Sequence, residues 1–292
     1  MDRQALQLSV IIPTCGRPAI LREVLGALRK QTLSQEFEIV VVNDGGTSEA
    51  AELANNFGAR YYEQKRSGPA TARNLGIHHA KGRVVLLLGD DTIPEERTLE
   101  EHLKVHQSRQ GVAVVGLIDW HPSLLPSPFL DFLLQGGGQF SFYKMRDPED
   151  AGYDFFYSSN LSLERRWLVE DKFDTSFPDA AFEDKELGYR LAKKGLRIVF
   201  RPEARVLHLH QYDMQSYLKR MRCVGRSAVH FLSRCPDLKI RLTYAPFTMI
   251  WGGYFMAEVY AGLLARFGLT ERIRWKGQIM RAYLEGFRET FR

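Results

Sequence analysis

The chain has 292 residues, 45% of them apolar and 26% charged, with a formal net charge of +5 and an isoelectric point near 9.0. It is long for one domain and short for two large ones, so one main domain with an appendage is expected, and its mild basicity suits an anionic small molecule or a membrane surface as well as nucleic acid. Cys15, Cys223 and Cys235 have no metal-ligand spacing and leave one thiol over in any disulfide scheme. This excludes a cysteine metal centre and a disulfide framework, and points to a reducing compartment.

The first apolar run, Leu8 to Ile12, is closed by Pro13 and is too short for a signal segment or a membrane span, so it is read as a strand opening a cytoplasmic protein. Ile20, Leu21, Val24, Leu25 and Leu28 then recur at helical spacing. The pattern repeats. Glu38 to Val42 predicts a buried strand ending at Asn43-Asp44-Gly45-Gly46, Ser48 to Phe57 a helix, Ala59 to Glu63 a short strand, Gly68 to His79 a helix and Gly82 to Leu88 another buried strand. A polar helix to about Gln110 and a strand Val112 to Leu117 follow. Such alternation predicts a mostly parallel sheet flanked by helices. From Trp120 to Gly152 the chain is rich in Pro, Gly, Phe and Ser, which predicts a loop-rich insertion. Phe182 to Lys194 reads as an amphipathic helix ended by Gly195, and Arg197 to Phe200 and Arg205 to Leu207 as strands on either side of Pro202. From Tyr212 onward the chain reads as helical, so a boundary is expected near residue 211.

Chemistry concentrates at strand ends. Asp90 and Asp91 close the apolar run VVLLLGDD; adjacent carboxylates at a buried strand end are costly unless a cation sits with them. A hydrated divalent metal holding a phosphate fits, because open α/β sheets bind ligands outside the carboxyl ends of their strands. Asp44 holds a comparable position but could equally cap the next helix. Glu183 and Asp184 begin a helix, where acids are favoured by the dipole, and Asp184 could also serve as a general base. His208 and His210 alternate after a strand, so both could face one site.

Six blocks, LSVIIPTCGRP, EIVVVNDGGT, GPATARNLGI, LLLGDDTIP, NLSLERR with KFDTSFPDAAFEDKELGYRLAKKG, and IVFRPEARVLHLH, stand in an order and spacing that resembles a family 2 inverting glycosyltransferase of GT-A fold. The resemblance covers roughly residues 8 to 210 and makes residues 1–210 the catalytic domain, with 211–292 a helical segment. It implies a nucleotide-diphosphate-sugar donor and transfer to a hydroxyl with inversion, in glycan or cell-surface polysaccharide biosynthesis. By the same resemblance Pro13, Thr14 and Arg17 line the nucleotide pocket, Asp44 accepts from the base, and Arg73 with Asn74 supports the ribose and pyrophosphate. Asp90 and Asp91 match the second and third positions of the D-x-D motif, His208 a metal ligand and Asp184 the base; beside Asp184, Glu183 is expected to orient the site or contact the acceptor. Gly89 stands where the motif has its first acid. Mg²⁺ or Mn²⁺ would then be held by Asp91, His208 and the donor's phosphates.

After residue 211, Arg222 and Arg226 lie in a basic helical stretch and are candidates for pyrophosphate binding. The aromatic run Ala245 to Ala265 and the basic tail suggest an interfacial contact at the inner face of the membrane, suited to a lipid-linked acceptor, or an oligomer contact. No nucleic-acid partner is expected. A sugar nucleotidyltransferase and an inactive nucleotide-sugar-binding protein are the alternatives.

Overall fold

The computed structural model describes residues 6–235, Asp237 and 271–290. An eight-stranded sheet runs in the order β3-β2-β1-β4-β7-β6-β8-β5. Its strands are β1 (Leu8–Thr14), β2 (Phe37–Asp44), β3 (Arg60–Gln64), β4 (Val84–Leu88), β5 (Thr92–Pro94), β6 (Val112–Trp120), β7 (Asn160–Glu164) and β8 (Arg197–His208). The β3-β2-β1-β4 half is parallel throughout. Central strands β1 and β4 are buried on both faces, which is why they read as unbroken runs such as VVLLL rather than as alternating ones.

Three helices connect this half: α1 (Pro18–Leu28), α2 (Glu49–Asn56) and α3 (Pro69–His79). Helix α3 lies close on β1 because Gly76 has no side chain; a Cβ there would come within 2.4 Å of Ile11 Cγ2. Helix α4 (Thr98–Ser108) packs on β6 and β8. The short helices α5 (Pro128–Phe132) and α6 (Arg165–Glu170) follow, then α7 (Glu183–Lys193) and α8 (Met214–Arg234), the last opened by a reciprocal cap between Asp213 and Ser216. Helix α9 (Glu271–Glu289) completes the described elements.

Three features differ from the sequence-based expectation. Strand β7, antiparallel to both β4 and β6, lies in the block NLSLE, whose three buried polar residues, Asn160, Ser162 and Glu164, interrupt the apolar pattern. Strand β8 is one element rather than two; Pro202 falls in an irregular stretch opposite β6, where no ladder bond is required of it. The insertion after Trp120 contains α5 and a further helical turn, Leu133–Gly137.

Two compact units can be distinguished. One holds the whole sheet and comprises the chain to Pro126, Lys144–Thr175 and Leu187–His210; the other comprises Ser127–Tyr143, Ser176–Glu186 and the chain from Gln211 on. Within the second unit α8 and α9 meet at two glycines. A Cβ on Gly225 would lie 2.1 Å from Tyr283 O, and one on Gly286 would lie 1.9 Å from Arg222 O. The run 245–265 lies outside the described residues, and among those described no helix is long and apolar enough to cross a membrane.

Candidate functional site

The site is built where β1, β4 and β8 end. After Thr14 the chain turns through Gly16, whose φ of +69° suits a residue without a Cβ, and presents Arg17 just ahead of Pro18 at the start of α1. Arg17 bridges the two acids that follow β4: Nη2 pairs with Asp90 Oδ1, and Nη1 lies 2.6 Å from Asp91 Oδ2. Thr14 Oγ1 donates to the other Asp90 oxygen at 2.8 Å. Asp90 is thus committed to β1 and its loop, while Asp91 looks toward β8.

Strand β8 brings the histidines. Thr92 pairs with His208 in register, and Leu209 N donates to Asp91 O at 2.7 Å, so alternation turns His208 and His210 to the same side. His208 Nε2 lies 3.5 Å and His210 Nδ1 3.2 Å from the same Asp91 Oδ2. Trp120 at the end of β6 stacks on His208 at 5.2 Å between ring centroids and limits how that ring can turn. The ligand atoms of Asp91, His208 and His210 lie within 4.8 Å of one another. One carboxylate and two imidazoles, with room for waters and phosphate oxygens, are a donor set that a Mn²⁺-type ion accepts. Arg17 contacts the same Asp91 oxygen, so guanidinium and metal compete for it.

The two acids have opposite character. Burial pushes the Asp90 carboxyl up to about 6, with Arg17 opposing and the neighbouring Asp91 charge adding. Burial also works against ionised Asp91, but the hydrogen bonds and charges of His208, His210 and Arg17 outweigh it and hold this carboxyl well below the usual range. Gly89 has a local reason: a Cβ would sit 3.0 Å from Asp91 Oδ1 and 3.1 Å from Thr92 Oγ1, so a side chain at the motif's first position would crowd the acid that faces the histidines. Strand alternation in the sequence allowed both histidines to face one site, and the resemblance named only His208 as a ligand; the structure brings His210 to the same Asp91 oxygen.

The other expected residues are placed as follows. Pro13 lies in β1 opposite Val42. Asp44 ends β2 and accepts from Gln64 Nε2 at 2.8 Å, Ser67 N at 2.7 Å and Gly68 N at 2.8 Å, which ties the loop leading into α3 to β2. Asn74 on α3 clamps the Phe173 backbone with both ends of its amide, at 2.9 and 3.0 Å, and buried Arg73 lies over the Phe173 ring at 5.4 Å.

In the second unit Phe182, at a φ of +68°, leads into α7, whose first turn carries buried Glu183 and half-buried Asp184. Burial works against the charge of Arg220 on α8, but the Tyr212 and Tyr217 side chains and the charges of Glu183 and Asp184 raise its pKa above the ordinary arginine value. Arg222 pairs with Glu285 at 2.6 Å, and Arg226 with Asp179 through two 2.9 Å bonds and with Glu289 at 2.8 Å. Both guanidiniums therefore have carboxylate partners within this unit.

Comparison with known proteins gives relatives in sequence and in fold. Residues 9–168 match the profile described as Glycosyl transferase family 2. Chondroitin synthase of Escherichia coli is 26% identical over 255 residues, covering 75% of this chain and 37% of that protein. Validoxylamine A glucosyltransferase of Streptomyces hygroscopicus subsp. limoneus is 31% identical over 220 residues, covering 65% of this chain and 48% of that protein. The chain matches between 16% and 65% of the length of such curated relatives, and 24% of a hyaluronan synthase of Pasteurella multocida. In fold it is similar to a mannosyltransferase of Pyrobaculum calidifontis, solved with GDP-Man and Mn²⁺, at a TM-score of 0.67 and 17% identity over 99% of this chain and 88% of that one.

Proposed function

Because the chain belongs to glycosyl transferase family 2, we propose that it moves a sugar from a nucleoside-diphosphate donor to an acceptor hydroxyl with inversion, for a glycan or lipid-linked acceptor. The observation that carries this reading is the convergence of Asp90, Asp91, Arg17, His208 and His210 at the carboxyl ends of adjoining strands, where such sheets take phosphorylated ligands. Family membership favours it over the nucleotidyltransferase alternative, and the intact acid–histidine cluster favours it over an inactive binding protein.

Asp91, His208 and His210 would hold a Mg²⁺ or Mn²⁺ ion, which when bound offsets the negative charge of the departing diphosphate. Arg17, already at this cluster, adds a second positive charge for that group, and its planar fork suits phosphate oxygens. Thr14 fixes Asp90, which in turn fixes Arg17. The acceptor oxygen attacks the anomeric carbon as the bond to diphosphate breaks, and Asp184 takes the hydroxyl proton, one base being enough for a single inverting displacement. Buried Glu183, its neighbour in the first turn of α7, orients the site or contacts the acceptor.

A screen of nucleotide sugars with and without Mn²⁺ tests the reading through release of nucleoside diphosphate. Asp184→Asn is expected to keep donor affinity and lose roughly 100- to 10,000-fold in transfer, the range of general-base catalysis. Asp91→Ala is expected to abolish metal-dependent donor binding. Donor binding without turnover of any sugar would favour the inactive alternative, and a dead Glu183→Gln beside an active Asp184→Asn would move the base by one residue.

A further inference from the structure

We propose that Asn160 is a positioning residue for the acid–histidine cluster: with Ser162 and His102 behind it, it fixes the irregular crossing of β6 and β8, and so sets which β8 side chains face Asp91. The inference rests on the reading of that cluster as the metal and phosphate site.

The two strands pair regularly up to Gly116 with Arg201, and resume at Ile118 with Val206. Between these pairs β6 advances by two residues and β8 by five. Ladder bonding is interrupted, and the Leu117 and Ala204 carbonyls fall in the gap. Asn160, fully buried on β7, fills it: its Nδ2 donates to Ala204 O at 2.8 Å and Leu117 O at 3.3 Å. At such a buried position a lost donor leaves these acceptors without a replacement from solvent. The strands approach closely here because Gly116 has no side chain; a Cβ would lie 1.9 Å from Ala204 O and 2.3 Å from Asn160 Nδ2.

The groups behind Asn160 permit one arrangement of protons. Since the amide nitrogen donates to two carbonyls, its oxygen must accept, and His102 Nε2 stands 2.9 Å away as the donor. Neutral His102 then has a bare Nδ1, which accepts the Ser162 hydroxyl at 2.8 Å, and the Ser162 oxygen accepts from His106 Nε2 at 2.8 Å. Reversing the amide would set its oxygen against two carbonyl oxygens. The relay thus runs in one direction, from α4 through β7 into the gap between β6 and β8.

What lies beyond the gap is the last stretch of β8, Val206 to His208, followed by Leu209 and His210. Side chains alternate along a strand, so a slip of one residue would turn Leu209 toward Asp91 and both histidines away. Asn160 touches none of the three ligands, yet it anchors the segment whose register presents two of them.

The test compares Asn160→Ala with Leu53→Ala, a core truncation on α2, at a temperature where circular dichroism shows both folded. Two readouts are taken: the affinity for Mn²⁺ alone by electron paramagnetic resonance, and the imidazole ¹H–¹⁵N resonances of His208 and His210 in metal-free protein, assigned with His208→Gln and His210→Gln. Asn160→Ala is expected to weaken Mn²⁺ binding by roughly 10-fold or more, as loss of a group that orients metal ligands does, and to shift both imidazoles. Leu53→Ala is expected to leave both readouts at the wild-type value despite its lower stability. Folded Asn160→Ala with unshifted imidazoles, or equal shifts in Leu53→Ala, overturns the proposal. If Asn160→Ala does not fold, Ser162→Ala is read by the same criteria. Failure of the wild-type protein to bind Mn²⁺ would overturn the metal reading, while the imidazole shifts would still decide the positioning role.

Discussion

The buried pair His102 and His106 makes the sheet-bearing unit sensitive to acid. Burial lowers the pKa of His102 from 6.5 to about 4, and that of His106 from 6.5 to about 3, with the His102 and Arg83 charges adding to the latter. Both are neutral in the fold and must take up protons once it opens. Stability from each is therefore fully present above about pH 6.5, is lost as pH falls below that value, and stops falling only below the folded pKa. By pH 5 each histidine should have cost about 2 kcal/mol, or about 4 kcal/mol together, a large share of a typical domain's 5–15 kcal/mol. Urea unfolding at pH 7.5 and pH 5.0, for the wild type and for a His102→Gln, His106→Gln variant, isolates this contribution, because acid-sensitive carboxylates are common to both proteins. The variant should lose about 4 kcal/mol less across the interval. Equal losses in the two proteins would refute the reasoning and place the acid sensitivity in the carboxylates.

Asp44→Ala removes three hydrogen bonds, two of them from backbone N–H groups in the loop leading into α3, and should cost about 1–3 kcal/mol in urea unfolding. Unchanged stability with lost donor affinity would instead assign Asp44 to base recognition. Gly286→Ala forces a Cβ against the Arg222 carbonyl, which no rotamer change relieves, and should destabilise the α8–α9 pair by about 1–3 kcal/mol despite the better helix propensity of alanine. Hydrogen exchange along α8 reads this directly, and unaltered protection there would mean that the helices adjust without cost.

The sequence by itself determined the parallel half of the sheet, because strands buried on both faces must be continuously apolar and helices with one buried face must repeat at 3.6 residues. Leu8–Thr14 and Val84–Leu88 meet the first condition, and Pro18–Leu28 the second. It also located Asp90, Asp91 and the two histidines, since charged or titratable residues at the ends of apolar runs stand out against their neighbours. Only the tertiary structure decided what these groups meet. Arg17 reaches back from a loop to bridge acids more than 70 positions away, and Asp44, Asn74, Arg222 and Arg226 each find partners remote in sequence. Strand β7 and the β6–β8 crossing escaped the sequence for a related reason. Their buried Asn160 and Ser162 violate the local apolar pattern, and are tolerated because His102, His106 and two strand carbonyls, brought from three other elements, satisfy them. Hydrophobic periodicity is a local property of the chain, whereas the pairing of a polar group is set by whatever the completed fold brings within 3 Å of it.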